Sequence, residues 1–174
     1  MRDGFVSVAA VTPEVKVADV EFNVESCIKA VTSAVDTNGA KVVVLPELCL
    51  TAYTCGDLFY QDALLNAVDD GLAYLAEQTA ELDALILVGA PIRVNGKLYN
   101  CAIALCAGEI LGVVPKQNIP AYNEFSEGRW FSAGQDDVIP IGIAGFDDVP
   151  FGVRQLFCCD SLDNLVVAAE IGED

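Results

Sequence analysis

Histidine is absent from the 174 residues. No Ser-His-Asp or Cys-His pair can therefore form, and imidazole metal ligands are excluded, so any proton transfer falls to carboxylate, Lys, Tyr or Cys. Positive charge is scarce as well: 9 Lys and Arg stand against 26 Asp and Glu, a formal net charge of −17. A surface this acidic repels phosphate backbones, which argues against a nucleic-acid partner and is read as a solubility feature. No apolar run approaches the roughly 18 residues that span a bilayer. Met1-Arg2-Asp3-Gly4-Phe5 has no long apolar stretch behind it and does not read as a secretory signal. No membrane association is expected, and a cytoplasmic location is.

Cysteine is plentiful, with seven residues, but the pattern of a disulfide framework or zinc knuckle is missing. The count is odd, no CxxC occurs, and most thiols lie in apolar runs. They read as reduced, buried small hydrophobes. Apolar residues make up 53% of the chain, enough for a real core in one domain spanning 1–174.

Hydrophobic periodicity gives the elements. Phe5 to Val11 alternates as a strand. A helix follows from about Asp19, with Phe22, Val24, Cys27, Ile28, Val31 and Val35 at helical spacing and Gly39 as its stop. Lys41 to Leu45 is a continuous apolar strand ended by Pro46, as in sheets buried on both faces. Gln61 to Leu82 reads as a second amphipathic helix, and Ala84 to Ala90 as a third strand. This order predicts α/β with parallel pairing. Asn95-Gly96 between two apolar runs then predicts a type I′ hairpin. Strands are expected over Leu98–Ala107, Glu109–Val114, Val138–Ile143, Gln155–Cys158 and Leu165–Ile171, and a long functional loop over Pro115–Gly134. The expectation is a mixed sheet with helices on one side.

Charge sits where apolar strands end. Glu47 follows Leu45-Pro46, at the strand end where α/β sheets bind ligands; partial desolvation there would suit a general base. Taken by position alone, a surface Glu at a turn is the commoner outcome. Lys116 follows Val113-Val114-Pro115 and could stabilise an anionic intermediate, although a solvated Lys is the plainer reading. Val166 to Asp174 runs from a strand into Gly172 and two acids, resembling an elbow that presents a nucleophile; Gly172 offers no side chain, and a Gly-containing turn is its literal reading.

These segments resemble a known family. Leu45-Pro46-Glu47-Leu48-Cys49-Leu50-Thr51-Ala52-Tyr53 is similar to the signature around the catalytic Glu of the nitrilase, or carbon–nitrogen hydrolase, superfamily. Lys116 to Phe131 (KQNIPAYNEFSEGRWF) resembles its catalytic Lys segment. Glu170-Ile171-Gly172-Glu173-Asp174 resembles the E-I-C-E-D segment, with Gly172 where the family has its nucleophilic Cys. Tyr53 to Phe59 and Val149-Pro150-Phe151-Gly152 resemble the glutaminase domain of glutamine-dependent NAD synthetases.

The resemblance implies an α/β fold, a nitrilase-type α-β-β-α sandwich with mixed sheets, with further strands expected beyond Asp174. It implies hydrolysis of the glutamine side-chain amide, with ammonia passed to a separate synthetase domain that uses ATP and Mg to amidate nicotinic acid adenine dinucleotide. It assigns Glu47 as general base, Lys116 as stabiliser of thiolate and oxyanion, and Glu124 as the second carboxylate. Tyr53, Tyr122 and Glu173 would line the glutamine pocket. No metal or cofactor is implied in this domain, and a homo-oligomer is. With Gly172 in place of the nucleophile, the chain is expected to be inactive as written. Two alternatives stay open: another nitrilase-type amidase, such as a carbamoylase or ω-amidase, and a catalytically dead fold that only binds.

Overall fold

The computed structural model describes residues 4–162 and 164–174. Seven strands form one mixed sheet in the order β1-β2-β3-β4-β5-β7-β6: β1 Val8–Ala10, β2 Val42–Val44, β3 Leu85–Val94, β4 Lys97–Cys106, β5 Glu109–Pro115, β6 Ile139–Ile143 and β7 Phe146–Phe151. β1, β2 and β3 pair in parallel, β3, β4 and β5 antiparallel, and β5 pairs in parallel with β7. A two-stranded ribbon, β8 Phe157–Cys158 with β9 Val166–Val167, forms a second sheet.

Helix α1, Val20–Asn38, starts where the Asp19 carboxylate accepts from the Phe22 amide at 3.2 Å and stops at Gly39, whose left-handed backbone lets its N–H reach back to Ala34 and Val35. Its buried side chains Val20, Val24, Cys27, Val31 and Ala34 recur every three or four residues, a single stripe. Helix α2, Asp62–Gln78, buries Leu64, Val68, Leu72 and Leu75 on the same plan. It ends before the expected Leu82 because the Thr79 hydroxyl donates back to the Leu75 carbonyl at 2.8 Å and competes with the helix there.

Strand alternation sorts the two faces of the sheet. Ile86, Val88, Ile103, Leu105 and Val113 join both helices in the main core. Leu87, Ala104 and Val114 point the other way and pack with Phe157 of the ribbon. The helices thus lie on one face, as expected, and a second sheet begins on the other: layers α, β and β of the anticipated sandwich. Asn95 (φ 49°) and Gly96 (φ 77°) form the hairpin turn the sequence predicts.

Three strand expectations change. Phe146–Phe151 is not among the expected strands, since Asp147, Asp148 and Pro150 give it poor strand character; it nevertheless pairs with both β5 and β6. The Gln155–Cys158 strand contracts to Phe157–Cys158, since the Gln155 amide is turned onto the carbonyls of Val113 and Gly152. Leu165–Ile171 contracts to Val166–Val167, and the rest leaves the ribbon for the elbow. Among the described residues no helix is long and apolar enough to cross a membrane.

Candidate active site

Glu47 is carried on a turn that leaves β2 and crosses over β3. The crossing is close: a Cβ on Gly89 would meet the Leu48 nitrogen and the Pro46 carbonyl oxygen, both at 2.4 Å. Only glycine admits that approach. The turn is fixed further by Leu50 N–H donating to the Gly89 carbonyl at 3.2 Å and by buried Leu48 at φ 52°.

Lys116 follows β5 directly. Its backbone N–H donates to the Asn100 carbonyl of β4 at 2.8 Å, so register sets its position. The side chain is only 3% exposed, and its ammonium donates to Glu47 Oε1 at 2.7 Å and Glu127 Oε1 at 2.8 Å. Burial by itself would pull this ammonium's pKa down, but the hydrogen bonds and charges of Glu127 and Glu47 outweigh it, and the net shift is upward. Lys116 is thus held as a cation. The Asn100 carboxamide, fully buried, donates to Glu47 Oε1 at 2.5 Å and to Glu127 Oε2 at 3.4 Å.

The carboxylate that joins Glu47 on the Lys116 ammonium is Glu127, and Glu124 is not part of that pairing. Glu124 is exposed on the loop and makes no ion pair with Lys116, whereas Glu127 is buried against it. The reason is helical geometry. A single 3-10 turn, Glu127–Arg129, puts Glu127 four residues before Phe131, whose N–H donates to the Glu127 carbonyl; burying Phe131 against Phe59, with ring centroids 4.9 Å apart, carries Glu127 inward. Asp57 pins the same turn by accepting from Arg129 Nε at 2.7 Å, Arg129 Nη2 at 2.8 Å and Trp130 Nε1 at 3.0 Å. Those bonds to Arg129 and Trp130 hold the Asp57 carboxyl at about 2, below its usual value.

The elbow comes to the same place. Gly172 sits at φ 64°, and a Cβ built on it would lie 3.0 Å from Lys116 Nζ. Asp174 clamps the elbow: its carboxylate accepts from the Gln117 N–H at 2.9 Å and the Asn118 N–H at 2.7 Å, just after Lys116. Glu47, Cys101 and Gly172 line one cleft of about 290 Å³. Tyr53, Glu124 and Glu127 line another of about 230 Å³. The Tyr53 hydroxyl donates to Glu127 Oε1 at 2.6 Å; burial and the Glu127 charge push the phenol well above its ordinary pKa, so it stays a donor.

Tyr122 and Glu173 are not brought into either cleft. Tyr122 is exposed and packs edge-on against Phe125 at 5.6 Å; Glu173 turns its side chain to solvent and offers only its backbone carbonyl, to Asn118 Nδ2 at 2.8 Å. Two thiols lie near Glu47: Cys101 lines the same cleft and Cys49 follows two residues along the turn. Burial raises the Cys101 thiol well above its ordinary pKa. The bond from Cys27 at 3.9 Å, and burial, do the same for Cys49.

The sequence reading reached Glu47, Lys116 and the elbow and missed Glu127 and Asn100. Glu127 could have been found as the acid one turn before an aromatic pair, Trp130-Phe131. Asn100 could have been found as the one amide inside the apolar run Leu98–Ala107.

Comparison with known proteins gives one consistent answer. Residues 7–160 match the carbon–nitrogen hydrolase family model. The glutamine-dependent NAD(+) synthetase of Mycobacterium tuberculosis is 40% identical over 173 residues, which cover 99% of this chain and 25% of that protein. That of Thermotoga maritima is 35% identical over 118 residues, covering 68% and 20%. The crystal structure of a glutamine-dependent NAD(+) synthetase from Cytophaga hutchinsonii superposes with a TM-score of 0.81 at 26% identity, over 89% of this chain and 26% of that one. The chain thus spans about a quarter of the length of these curated relatives.

Proposed function

Because the chain belongs to the carbon–nitrogen hydrolase family, we propose that it is the amide-hydrolysing module of a glutamine-dependent NAD synthetase with its nucleophile position occupied by Gly172. In this reading the module's substrate is glutamine. The ammonia it releases serves an ATP- and Mg-dependent synthetase domain outside this chain, which amidates nicotinic acid adenine dinucleotide.

One observation carries the proposal. Lys116 Nζ lies 2.7 Å from Glu47 Oε1 and 3.0 Å from where a side chain at position 172 would begin. An ammonium has three N–H donors. Two are taken by Glu47 and Glu127, and the third is left for the elbow. With a thiol at 172, Glu47 takes its proton and the thiolate attacks the amide carbon. Lys116 stabilises the oxyanion, Glu47 passes the thiol's proton to the amide nitrogen as the C–N bond breaks and ammonia leaves, and water, deprotonated by Glu47, hydrolyses the glutamyl thioester to glutamate and the free thiol. Glu127 holds Lys116 charged and in place, and takes over the part the sequence assigned to Glu124. With Gly172 the first bond cannot form, so the chain as written releases no ammonia.

The test is ammonia release from glutamine by the chain and by Gly172→Cys. The reading expects no signal above an enzyme-free blank from the first and turnover from the second. Release by the unaltered chain would overturn it. A second reading, glutamine binding without turnover, is favoured by Gly172 itself; calorimetric binding of glutamine to the unaltered chain, with no activity in Gly172→Cys, would select it.

A further inference from the structure

Two carboxylates share one cation in this site, an arrangement with a surplus negative charge in a nearly dry place. Glu47 and Glu127 would repel, and nothing about a single ammonium prevents Glu47, whose side chain is 28% exposed, from swinging outward. The structure holds a second bridge between them. Asn100 Nδ2 donates to Glu47 Oε1 at 2.5 Å and to Glu127 Oε2 at 3.4 Å, so Glu47, Lys116, Glu127 and Asn100 close into a ring in which both acids alternate with a donor. The same residue fixes the cation, since the Asn100 carbonyl accepts the Lys116 N–H.

The amide cannot be turned around, because the reverse orientation would set its oxygen against both carboxylates. Its Oδ1 is buried with no donor among the described residues. A buried acceptor without a partner is costly. An aliphatic side chain of like size would avoid that cost and suit the apolar strand, so the amide's place in the strand is best explained by what its N–H groups hold.

We propose that Asn100 is a positioning residue: its carboxamide keeps the Glu47 carboxylate turned toward Lys116 and the elbow, and spaced from Glu127. Asn100 acts through Glu47 and does not touch the substrate. The proposal rests on the reading of Glu47 as the base, but its geometry does not depend on glutamine being the substrate.

The experiment has two arms. In the unaltered chain, carbon-13 NMR follows the Glu47 carboxyl through a pH titration, its signal assigned with Glu47→Gln. Asn100→Leu removes the donor and keeps the volume; Asn100→Asp keeps the shape and replaces the donor with a third acid. Losing a donor to the charged form moves the Glu47 titration to higher pH by about one unit in Asn100→Leu, and adding a like charge moves it further in Asn100→Asp. Exposed Glu124 is the control and stays where it is. Should Asn100→Leu fail to fold, Asn100→Asp carries the test alone. In the second arm, Asn100→Leu on the Gly172→Cys background lowers kcat for ammonia release about 10–100-fold, with KM nearly unchanged.

The arms separate the two claims. A moved Glu47 titration with no ammonia from Gly172→Cys supports Asn100 and sinks the glutaminase reading. Ammonia from Gly172→Cys with an unmoved titration and unchanged kcat in the Asn100 variants overturns Asn100 and leaves the reading standing.

Discussion

The acid–amine half of the site faces the elbow half, where a side chain at position 172 would begin 3.0 Å from Lys116 Nζ, yet the two are built on opposite principles. Glu47, Lys116, Glu127 and Asn100 are tied to each other by four hydrogen bonds, and Lys116, Glu127 and Asn100 are buried. The elbow is exposed at Gly172 and Glu173 and is held mainly through the Asp174 carboxylate. The first half is a structural unit whose removal should damage the fold. The second is a lightly held turn into which a side chain can be introduced at modest cost.

Lys116→Met should separate the halves most sharply. It leaves two acids facing each other without their cation, Glu127 fully buried, so about 3–5 kcal/mol of stability is expected to go, read by urea unfolding. A loss below about 1 kcal/mol, the range of an exposed pair, would show that the cluster is not the structural unit described here. Gly89→Ala strikes the same half from beneath, driving a methyl into the backbone of the Glu47 turn at 2.4 Å. Overpacking of that kind costs about 1–3 kcal/mol; an unchanged melting temperature would contradict the close crossing. Gly172→Cys tests the elbow. A residue with a Cβ at φ 64° costs about 1–2 kcal/mol, and the Lys116 ammonium must give way by a few tenths of an ångström. The variant should stay folded and melt slightly lower.

The smallest effects are those of pH, and they have opposite signs in two places. Lys116 has a raised folded pKa, so its stabilisation is fully present below the unfolded Lys value of about 10.4 and is lost as pH climbs through the higher folded value. Alkaline unfolding should therefore set in only above about pH 10.4, and earlier in Glu127→Gln. Asp57 is depressed to about 2, so its contribution is present above its usual value of 3.8 and is lost as pH falls through about 2. Trp130 is the chain's single tryptophan and donates to Asp57. Its fluorescence should change over that acid range, and Asp57→Asn should abolish the change.

The parts that the sequence disclosed are those in which one local rule dominates. Both helices showed their stripes, Asn95-Gly96 showed its turn, and Glu47 and Lys116 stood out as single charges behind apolar strands. The parts it concealed depend on tertiary contact. Glu127 is inward because Phe131 is buried against Phe59, which links segments about seventy residues apart. Asn100 looks like an interruption in a strand until its two acidic neighbours arrive from elsewhere in the chain. β7 was hidden because its pairing with β5 and β6 prevails over the poor strand character of Asp147-Asp148.

The central claim is that Glu47 and Lys116 stand ready to work on whatever nucleophile the elbow supplies. The most direct measurement is the rate of ammonia release from glutamine by Gly172→Cys alone and combined with Glu47→Gln or Lys116→Met. Turnover in the single variant, reduced about 10²–10⁴-fold by Glu47→Gln and by at least as much by Lys116→Met, is the predicted result. Turnover that survives either second substitution undiminished would contradict it.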